Sequence, residues 1–168
     1  MGTQEHKQSA PESVSVGIIS VSSTRNLEND ESGNWIARRA KKEGHRVADH
    51  RVVPDDAQAV VDAILKMIRE MGAEAILITG GTGISPRDVT IEAVRPLFEK
   101  ELTAFSPLFA QLSFEEIDSA ALLSRATAGI FEKTVLFCMP GSLKACRLAC
   151  KAIIFPELGH LIRHIRES

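Results

Sequence analysis

The chain has 168 residues, 44% of them hydrophobic and 25% charged, a balance typical of a globular protein that buries one core in one domain. Its formal net charge of -2 gives no overall attraction to nucleic acid or to an anionic membrane, so neither partner is expected and any anion site must be local. Three cysteines, an odd and small number, argue against a disulfide framework and favour the reducing cytoplasm.

The N-terminal residues are polar and lack the apolar core of a signal peptide. They predict a disordered leader over residues 1–13, with Pro11 near its end. A single domain is then expected over residues 14–168, because no repeat, low-complexity tract or shift in composition follows. No apolar run in the sequence approaches the roughly 20 residues needed to cross a bilayer.

Strand and helix patterns alternate along this domain. Short apolar runs, rich in β-branched residues, predict strands over 16–21, 46–53, 75–78, 126–131 and 134–139. Apolar residues at three- and four-residue spacing predict helices over 32–42, 57–71, near 91–98, and over 104–116 and 143–154. Pro156 is expected to end the last of these, before a final amphipathic stretch that ends at Ile165.

Alternation of this kind predicts an α/β fold with one doubly wound, mostly parallel sheet and helices on both faces. Only Glu132 and Lys133 separate the last two strands, which predicts an antiparallel pair at one edge. Ligands of open parallel sheets bind beyond the carboxyl ends of the strands. Three predicted strand ends carry unusual residues, at positions 22–24, 79–83 and 140–142.

The segment Thr79, Gly80, Gly81, Thr82 and Gly83 has three glycines in five residues. Glycines let backbone N–H groups turn toward one point and let a ligand approach closely, which suits a phosphate or a polar heterocycle. The alternative is a sharp turn between strand and helix. The segment is neither a Walker A loop nor a dinucleotide fingerprint, since no Gly-Lys-Ser/Thr follows and Pro86 occupies the third glycine position.

Two aspartates near strand ends allow two interpretations each. A carboxylate beside an anion site, such as Asp88, indicates a bound Mg²⁺. The alternative for Asp88 is a turn residue paired with Arg87, with Thr90 capping the next helix. Asp55 could likewise serve the site, or cap a helix in the manner of an aspartate followed three residues later by Gln58.

The third strand end carries Ser142 and Lys144 at a predicted helix N-terminus, an arrangement that favours anions. Two other pairs of residues, one of cysteines and one of histidines, are not expected to form a metal site. Cys146 and Cys150 share a helical face without further ligands nearby and are expected in the core. His160 and His164 also share a face, but Leu161 stands where a metalloprotease needs Glu, so solvated or interface histidines are expected.

Four segments, at 79–83, 87–93, 123–126 and 139–145, together resemble the MoaB/MogA family in their order and spacing. That family includes the G domain of gephyrin. The resemblance extends over roughly residues 14–166, and residues 112–117 are similar to the MoaB branch in particular.

The resemblance implies an enzyme of molybdenum cofactor biosynthesis, a molybdopterin adenylyltransferase with ATP and molybdopterin as substrates and Mg²⁺ as cofactor. The terminal phosphate of molybdopterin would attack the α-phosphate of ATP, giving adenylyl-molybdopterin and pyrophosphate. Such a nucleotidyltransferase needs positioning and charge neutralisation more than a protein nucleophile. This agrees with the lack of a Gly-x-Ser-x-Gly elbow in the sequence.

Family positions and strand ends together give the expected site. Asp55 and Asp88 are expected to be catalytic and to hold Mg²⁺ through the nucleotide phosphates. The residues expected to bind molybdopterin or nucleotide are Ser22, Asp30, Ser32, Gly33, Thr79, Gly80, Gly81, Thr82, Gly83, Pro140, Gly141, Ser142 and Lys144.

The chain departs from many relatives at Ser23, where they have Asp, and at Ile91, where they have Pro. An alternative function is a catalytically silent MoaB-type protein that binds molybdopterin. Asp55, which silent relatives lack, favours the enzyme. A nucleotide-processing enzyme of the CinA type is a third hypothesis, which residues 112–117 disfavour. Relatives imply a homotrimer or homohexamer, and a hand-off of the product to a molybdate-inserting protein.

Overall fold

The computed structural model describes residues 13–167, so the predicted leader lies outside the described residues except for Ser13. The strands are β1 (Ser15–Val21), β2 (Arg46–Val53), β3 (Ala75–Thr79), β4 (Lys100–Glu101), β5 (Thr127–Phe131) and β6 (Thr134–Met139). The α-helices are α1 (Glu31–Lys42), α2 (Ala57–Arg69), α3 (Thr90–Val94), α4 (Phe105–Ile117), α5 (Leu143–Ala149) and α6 (Phe155–Arg166). Short 3₁₀ helices follow α3 (Arg95–Leu97) and α4 (Asp118–Leu123).

The strands form one sheet in the order β2-β1-β3-β6-β5-β4. The pairs β1–β2, β1–β3 and β3–β6 are parallel, whereas β5 runs antiparallel to both β6 and β4. The predicted α/β fold with an antiparallel edge is therefore confirmed. The chain leaves β1 toward β2 on one side and then returns to place β3 on the other, so the topological switch point lies between β1 and β3.

Each face of the sheet is covered by helices, because successive strand side chains point to opposite faces. On one face, Ile36 of α1, Phe109 of α4 and Leu158 of α6 pack with Val16 and Ile18 of β1. On the other face, α2 and α3 pack against alternate residues of β1 and β3. All three cysteines are free and buried. No helix among residues 13–167 is long and apolar enough to span a membrane.

The hairpin between β5 and β6 turns at Glu132 and Lys133, as predicted. Both residues have positive φ, 45° and 60°, which is the backbone of a two-residue turn that matches the twist of the strands. The two-residue strand β4 was not predicted, because Lys100 and Glu101 have no apolar pattern and pair only at the exposed edge.

The predicted helix end at Pro156 is wrong. A π-helical turn over Cys150–Ile154 joins α5 to α6. Pro156 lies in the first turn of α6, where a missing N–H does not break the helix. The helical path therefore continues to Arg166 and covers the sheet next to β6.

Candidate active site

The ends of β1, β3 and β6 meet around one cavity of about 370 Å³. It lies at the switch point between β1 and β3, where open parallel sheets bind ligands. The cavity brings together most of the residues that the sequence predicts for the site. Those in its lining are Ser22, Asp55, Thr79, Gly80, Gly81, Thr82, Gly83, Asp88, Pro140 and Gly141.

A sharp glycine turn follows β3. Gly80 and Gly81 have φ of 93° and 65°, in the left-handed region that disfavours residues with a Cβ. Space sets a second limit at Gly81, since an added Cβ would collide with Thr90 Oγ1 and lie 3.5 Å from Asp55 Oδ1. Glycine is therefore required there both by the backbone and by the closeness of the Thr90 hydroxyl.

The turn is fixed by Thr90 and leaves several of its own N–H groups without a protein acceptor among the described residues. Thr90 Oγ1 donates to Gly80 O at 2.7 Å, and the Thr90 N–H donates to Gly81 O at 2.9 Å. In the part of the chain that the structure describes, the N–H groups of residues 81–83 donate to no protein acceptor. Successive amides in such a turn form a concavity that binds anions.

Asp55 follows β2 and is half-buried at the cavity wall. Its Oδ2 accepts hydrogen bonds from the Ser23 N–H at 2.9 Å and from the Ser23 hydroxyl at 2.8 Å. The other oxygen, Oδ1, is the one near Gly81. The carboxylate is thus held by one oxygen while the second faces the glycine turn.

The interpretation of Asp55 as a helix cap is wrong, because the neighbouring residue Asp56 caps α2. Asp56 is the N-cap of α2 and accepts from the Ala59 N–H at 2.8 Å. Gln58 bonds within the helix instead, donating to Asp62 Oδ1 at 2.8 Å. Asp55 therefore has no capping role to explain its position.

Asp88 is half-buried beside Gly83, two residues further along the glycine turn. Its Oδ2 accepts from the Ser85 N–H at 2.9 Å, and a Cβ on Gly83 would lie 2.7 Å from that oxygen. Among residues 13–167, no ion pair joins Asp88 to Arg87, and Thr90 makes no side-chain cap for α3. Of that alternative, the turn role of Asp88 is present, since its side chain accepts from the Ser85 N–H, but the ion pair with Arg87 and the cap by Thr90 are not.

The loop after β6 is tied to the cavity floor by buried hydroxyls. Thr79 Oγ1 donates to Pro140 O at 2.9 Å, and Ser32 Oγ donates to Gly141 O at 2.8 Å. Burial raises the pKa of the Cys146 thiol, which lies 3.0 Å from Thr79 Oγ1. The thiol is thus a core group rather than a nucleophile.

Asp30 and Gly33 lie behind the cavity rather than in its lining. Asp30 is fully buried and caps α1 by accepting from the Gly33 N–H at 3.1 Å. Its Oδ2 also accepts from Ser20 Oγ at 2.5 Å and lies 2.8 Å from His50 Nε2. Burial alone would raise the pKa of this carboxyl, but the hydrogen bonds from His50, Ser20 and Gly33 bring it below its ordinary value.

Ser142 and Lys144 line a separate hollow of about 100 Å³. Ser142 caps α5, its hydroxyl accepting from the Ala145 N–H at 3.1 Å. Lys144 Nζ lies 3.8 Å from Glu116 Oε2, so a protein carboxylate compensates the lysine that the sequence suggested for an anion. The structure does not bring these two residues into the cavity with the glycine turn.

The profile of a family described as "probable molybdopterin binding domain" matches residues 17–160. The chain belongs to this molybdopterin-binding family. The matched range contains every segment that lines the cavity, from the end of β1 to the loop after β6.

Relatives within the family cover almost the whole chain. Molybdenum cofactor biosynthesis protein B of Bacillus subtilis is 45% identical and covers 100% of this chain and 99% of its own length. A Pyrococcus furiosus protein named molybdopterin adenylyltransferase is 40% identical, over 99% of this chain and 100% of its own. A crystal structure of a molybdenum cofactor biosynthesis protein B superposes with a TM-score of 0.91 at 41% identity, covering 95% of this chain and 99% of that one.

Two arginines of this family member complete the cavity and were not assigned from the sequence. Arg25 and Arg87 line it with the two aspartates, and Arg25 Nη1 donates weakly to Gly141 O at 3.5 Å. Arg25 lies in a polar loop, where nothing in the pattern separates it from solvated residues, and the only signal for Arg87 is its place in the segment 87–93 that resembles the family. The two arginines give the cavity the local cations that the chain's net charge of -2 does not supply.

Arg125 also acts on the glycine turn without lining the cavity. Its Nη1 donates to Gly83 O at 2.7 Å, and its Nη2 pairs with Glu92. The hydrogen bond from Arg125 to the Glu92 carboxylate lowers the pKa of Glu92. The only signal for Arg125 in the sequence is its place in the segment 123–126 that resembles the family.

Proposed function

We propose that this chain is a molybdopterin adenylyltransferase, transferring AMP from Mg-ATP to molybdopterin in the biosynthesis of the molybdenum cofactor. The observation that carries the proposal is the convergence of Asp55 and Asp88 on the glycine turn in one cavity. The name of the Pyrococcus furiosus relative supports it.

In the proposed step, an oxygen of the terminal phosphate of molybdopterin forms a bond to the α-phosphorus of ATP. The bond from that phosphorus to the oxygen bridging to the β-phosphate breaks, and pyrophosphate leaves. Phosphoryl and nucleotidyl transfers of this kind depend on positioning and on neutralising charge. The buried thiols are consistent with this chemistry, since burial raises the pKa of Cys146 and Cys150 and keeps them protonated.

The glycine turn would hold a phosphate group through its amides. The N–H groups of residues 81–83 make no other hydrogen bond in the described chain, and Arg25 and Arg87 add positive charge beside them. Because the turn is fixed by Thr90, these donors need little reorganisation when an anion binds.

The two carboxylates fit Mg²⁺ in the type of ligand they offer. Mg²⁺ prefers oxygen donors and uses one or two carboxylates together with substrate phosphates. Within residues 13–167, no group of three or more His, Cys, Asp or Glu side chains could hold a metal by itself, which agrees with an ion that arrives on the nucleotide. When bound, such an ion neutralises phosphate charge; Asp55 and Asp88 would hold it.

Space for a second substrate adjoins the cavity. A recess of about 790 Å³ shares Ser22, Ser23 and Arg25 with it and extends along the end of β2. Two substrates in these adjoining hollows would meet at the residues that the hollows share, beside Ser23 and Arg25. Ser142 and Lys144 stay candidates for contact with substrate only from their neighbouring hollow, which shares Pro140 with the cavity.

Further parts of the proposal follow from the family. We expect a cytoplasmic homotrimer or homohexamer that passes its product to a molybdate-inserting protein. The domain would comprise residues 14–168, with residues 1–13 as a leader.

The test is release of pyrophosphate by the purified full chain with Mg²⁺, ATP and molybdopterin. We expect release only when both substrates are present. Asp88→Asn and Asp55→Asn should each lower the rate about 10²-fold or more, because each removes a carboxylate that would hold the Mg²⁺ on the nucleotide phosphates. Both variants should still bind molybdopterin, since the amides of the glycine turn remain.

The silent alternative makes a different prediction in the same experiment. A protein that only binds molybdopterin would show saturable binding without pyrophosphate release, in the wild type and in both variants. Full activity of Asp88→Asn would also overturn the proposed assignment.

A further inference from the structure

A pair of histidines lies on α6, far along the chain from the cavity residues. His160 and His164 are one helical turn apart, and their Nε2 atoms lie 2.9 Å from each other. The side chain of His160 is 21% exposed, and His164 is exposed. Solvent can therefore reach the space that the two nitrogens share.

The two rings approach each other most closely at their Nε2 atoms. Their centroids are 4.6 Å apart, against 2.9 Å for the nitrogens, so the axes through the two Nε2 atoms converge. In the structure this contact is a hydrogen bond between the two ring nitrogens. Two imidazole nitrogens bound to one ion at about 2.0–2.1 Å and at a right angle to each other lie about 3 Å apart, so the pair already has the spacing of two neighbouring positions in a metal's coordination sphere.

Glu157 interacts with the other ring nitrogen of His160 and so favours metal binding through Nε2. His160 Nδ1 lies 3.3 Å from Glu157 Oε2, one turn earlier in the helix. A carboxylate at Nδ1 keeps the proton on that nitrogen and leaves the lone pair on Nε2, as it does for metal-bound histidines in general. The arrangement supplies an outer carboxylate as well as two ligands.

We propose that His160 and His164 chelate one divalent transition-metal ion through their Nε2 atoms, with water completing the coordination. The ion takes the place of the proton on His164 Nε2 in the present hydrogen bond, and that proton passes through water to Nδ1 of the same ring. Imidazole ligands favour Ni²⁺, Cu²⁺ and Zn²⁺. Mg²⁺ prefers oxygen ligands and releases its water reluctantly, so the site is distinct in chemistry from the cavity. Within residues 13–167 no third side chain joins the ligand set. This inference does not rest on the proposed adenylyltransferase activity.

The test is calorimetric titration of the untagged full chain with Ni²⁺ alone. We expect one ion per chain, and affinity reduced about tenfold or more in both His160→Asn and His164→Asn, because each leaves a single imidazole. His45→Asn is the matched control: His45 accepts from the Val14 N–H through Nδ1 at 3.3 Å, which asparagine can imitate. Its affinity for Ni²⁺ should equal that of the wild type.

A spectroscopic measurement tests the same site without a variant. With one equivalent of Cu²⁺, the wild-type spectrum should show hyperfine coupling to two nitrogen ligands. Coupling to no nitrogen or to one would overturn the proposal. Undiminished Ni²⁺ affinity in both His160→Asn and His164→Asn would overturn it too, as would an equal loss in His45→Asn.

Discussion

Ser23 and Asp55 hold each other through three hydrogen bonds. The Ser23 N–H and hydroxyl donate to Asp55 Oδ2 at 2.9 and 2.8 Å, and the Asp55 N–H donates to Ser23 Oγ at 3.1 Å. Ser23, in the loop that follows β1, therefore orients the side chain of Asp55 before any ligand binds. Its second oxygen, near Gly81, is the one left to act on a substrate or ion.

Ser23→Ala should lower the maximal rate of pyrophosphate release about tenfold, because Oδ2 keeps only the backbone donor and the carboxylate loses its fixed orientation. The affinity for molybdopterin should stay unchanged, since the glycine turn is intact. Ser23→Thr keeps the hydroxyl and should recover most of the rate. An alanine variant with the wild-type rate would show that Ser23 does not position Asp55.

Asp55 and Asp56 are neighbours with opposite expected roles. Asp56→Ala removes the cap of α2, so thermal and urea unfolding should show a loss of about 1 kcal/mol in the free energy of unfolding. The rate of pyrophosphate release at a temperature where the protein is folded should not change. Asp55→Asn should do the reverse, with stability retained and activity lost. If Asp56→Ala alone lost activity, the assignment of the two aspartates would be wrong.

The strand ends were predictable from the sequence because apolar, β-branched runs and glycines mark them directly. Residues 79–83 and the two aspartates follow such runs, and parallel strands bring their carboxyl ends to one edge. The strand ends by themselves left a capping or turn role open for each aspartate, and the resemblance to the family assigned both to one site; both line the cavity. The capping alternative fell on Asp55 instead of its neighbour Asp56, because the cap depends on the backbone: Asp56 is extended, with φ of -138° and ψ of 126°.

Other parts of the site had no signal in the sequence. Ser23 was noted only as part of a polar strand end and as a departure from relatives, and its three bonds to Asp55 depend on the pairing of β1 with β2. Ser142 and Lys144 follow a strand end like the others, yet helix capping and Glu116 take up their polar groups. Long-range partners of this kind are set by tertiary packing, which local patterns do not encode.

Gly81 and Gly72 allow the effect of space to be separated from that of backbone strain. Both have φ of 65°, but a Cβ on Gly72 meets nothing within 4 Å, whereas one on Gly81 collides with Thr90 Oγ1. Gly72→Ala should therefore cost only about 1 kcal/mol of stability, from the left-handed backbone. Gly81→Ala should cost more and should also abolish binding of molybdopterin, measured by equilibrium titration. Equal effects of the two changes on binding would contradict the assigned role of the turn.

Asp30 should make folding stability depend on pH. Hydrogen bonds from His50, Ser20 and the Gly33 N–H outweigh its burial and lower the pKa of the folded carboxyl from 3.8. Because the folded pKa lies below the unfolded one, the stabilisation is complete above 3.8 and is lost as the pH falls through the folded value.

Asp30→Asn isolates this contribution. At pH 7 it should reduce the free energy of unfolding by about 1.5–3 kcal/mol, the range for hydrogen bonds to a charged group. Urea unfolding of both proteins at a series of pH values should show that difference shrinking as the pH falls below 3.8, because the wild-type carboxyl then takes up its proton. A difference that stayed constant over this range would mean that the carboxylate charge contributes nothing, and that Asp30 acts only through its shape behind the cavity.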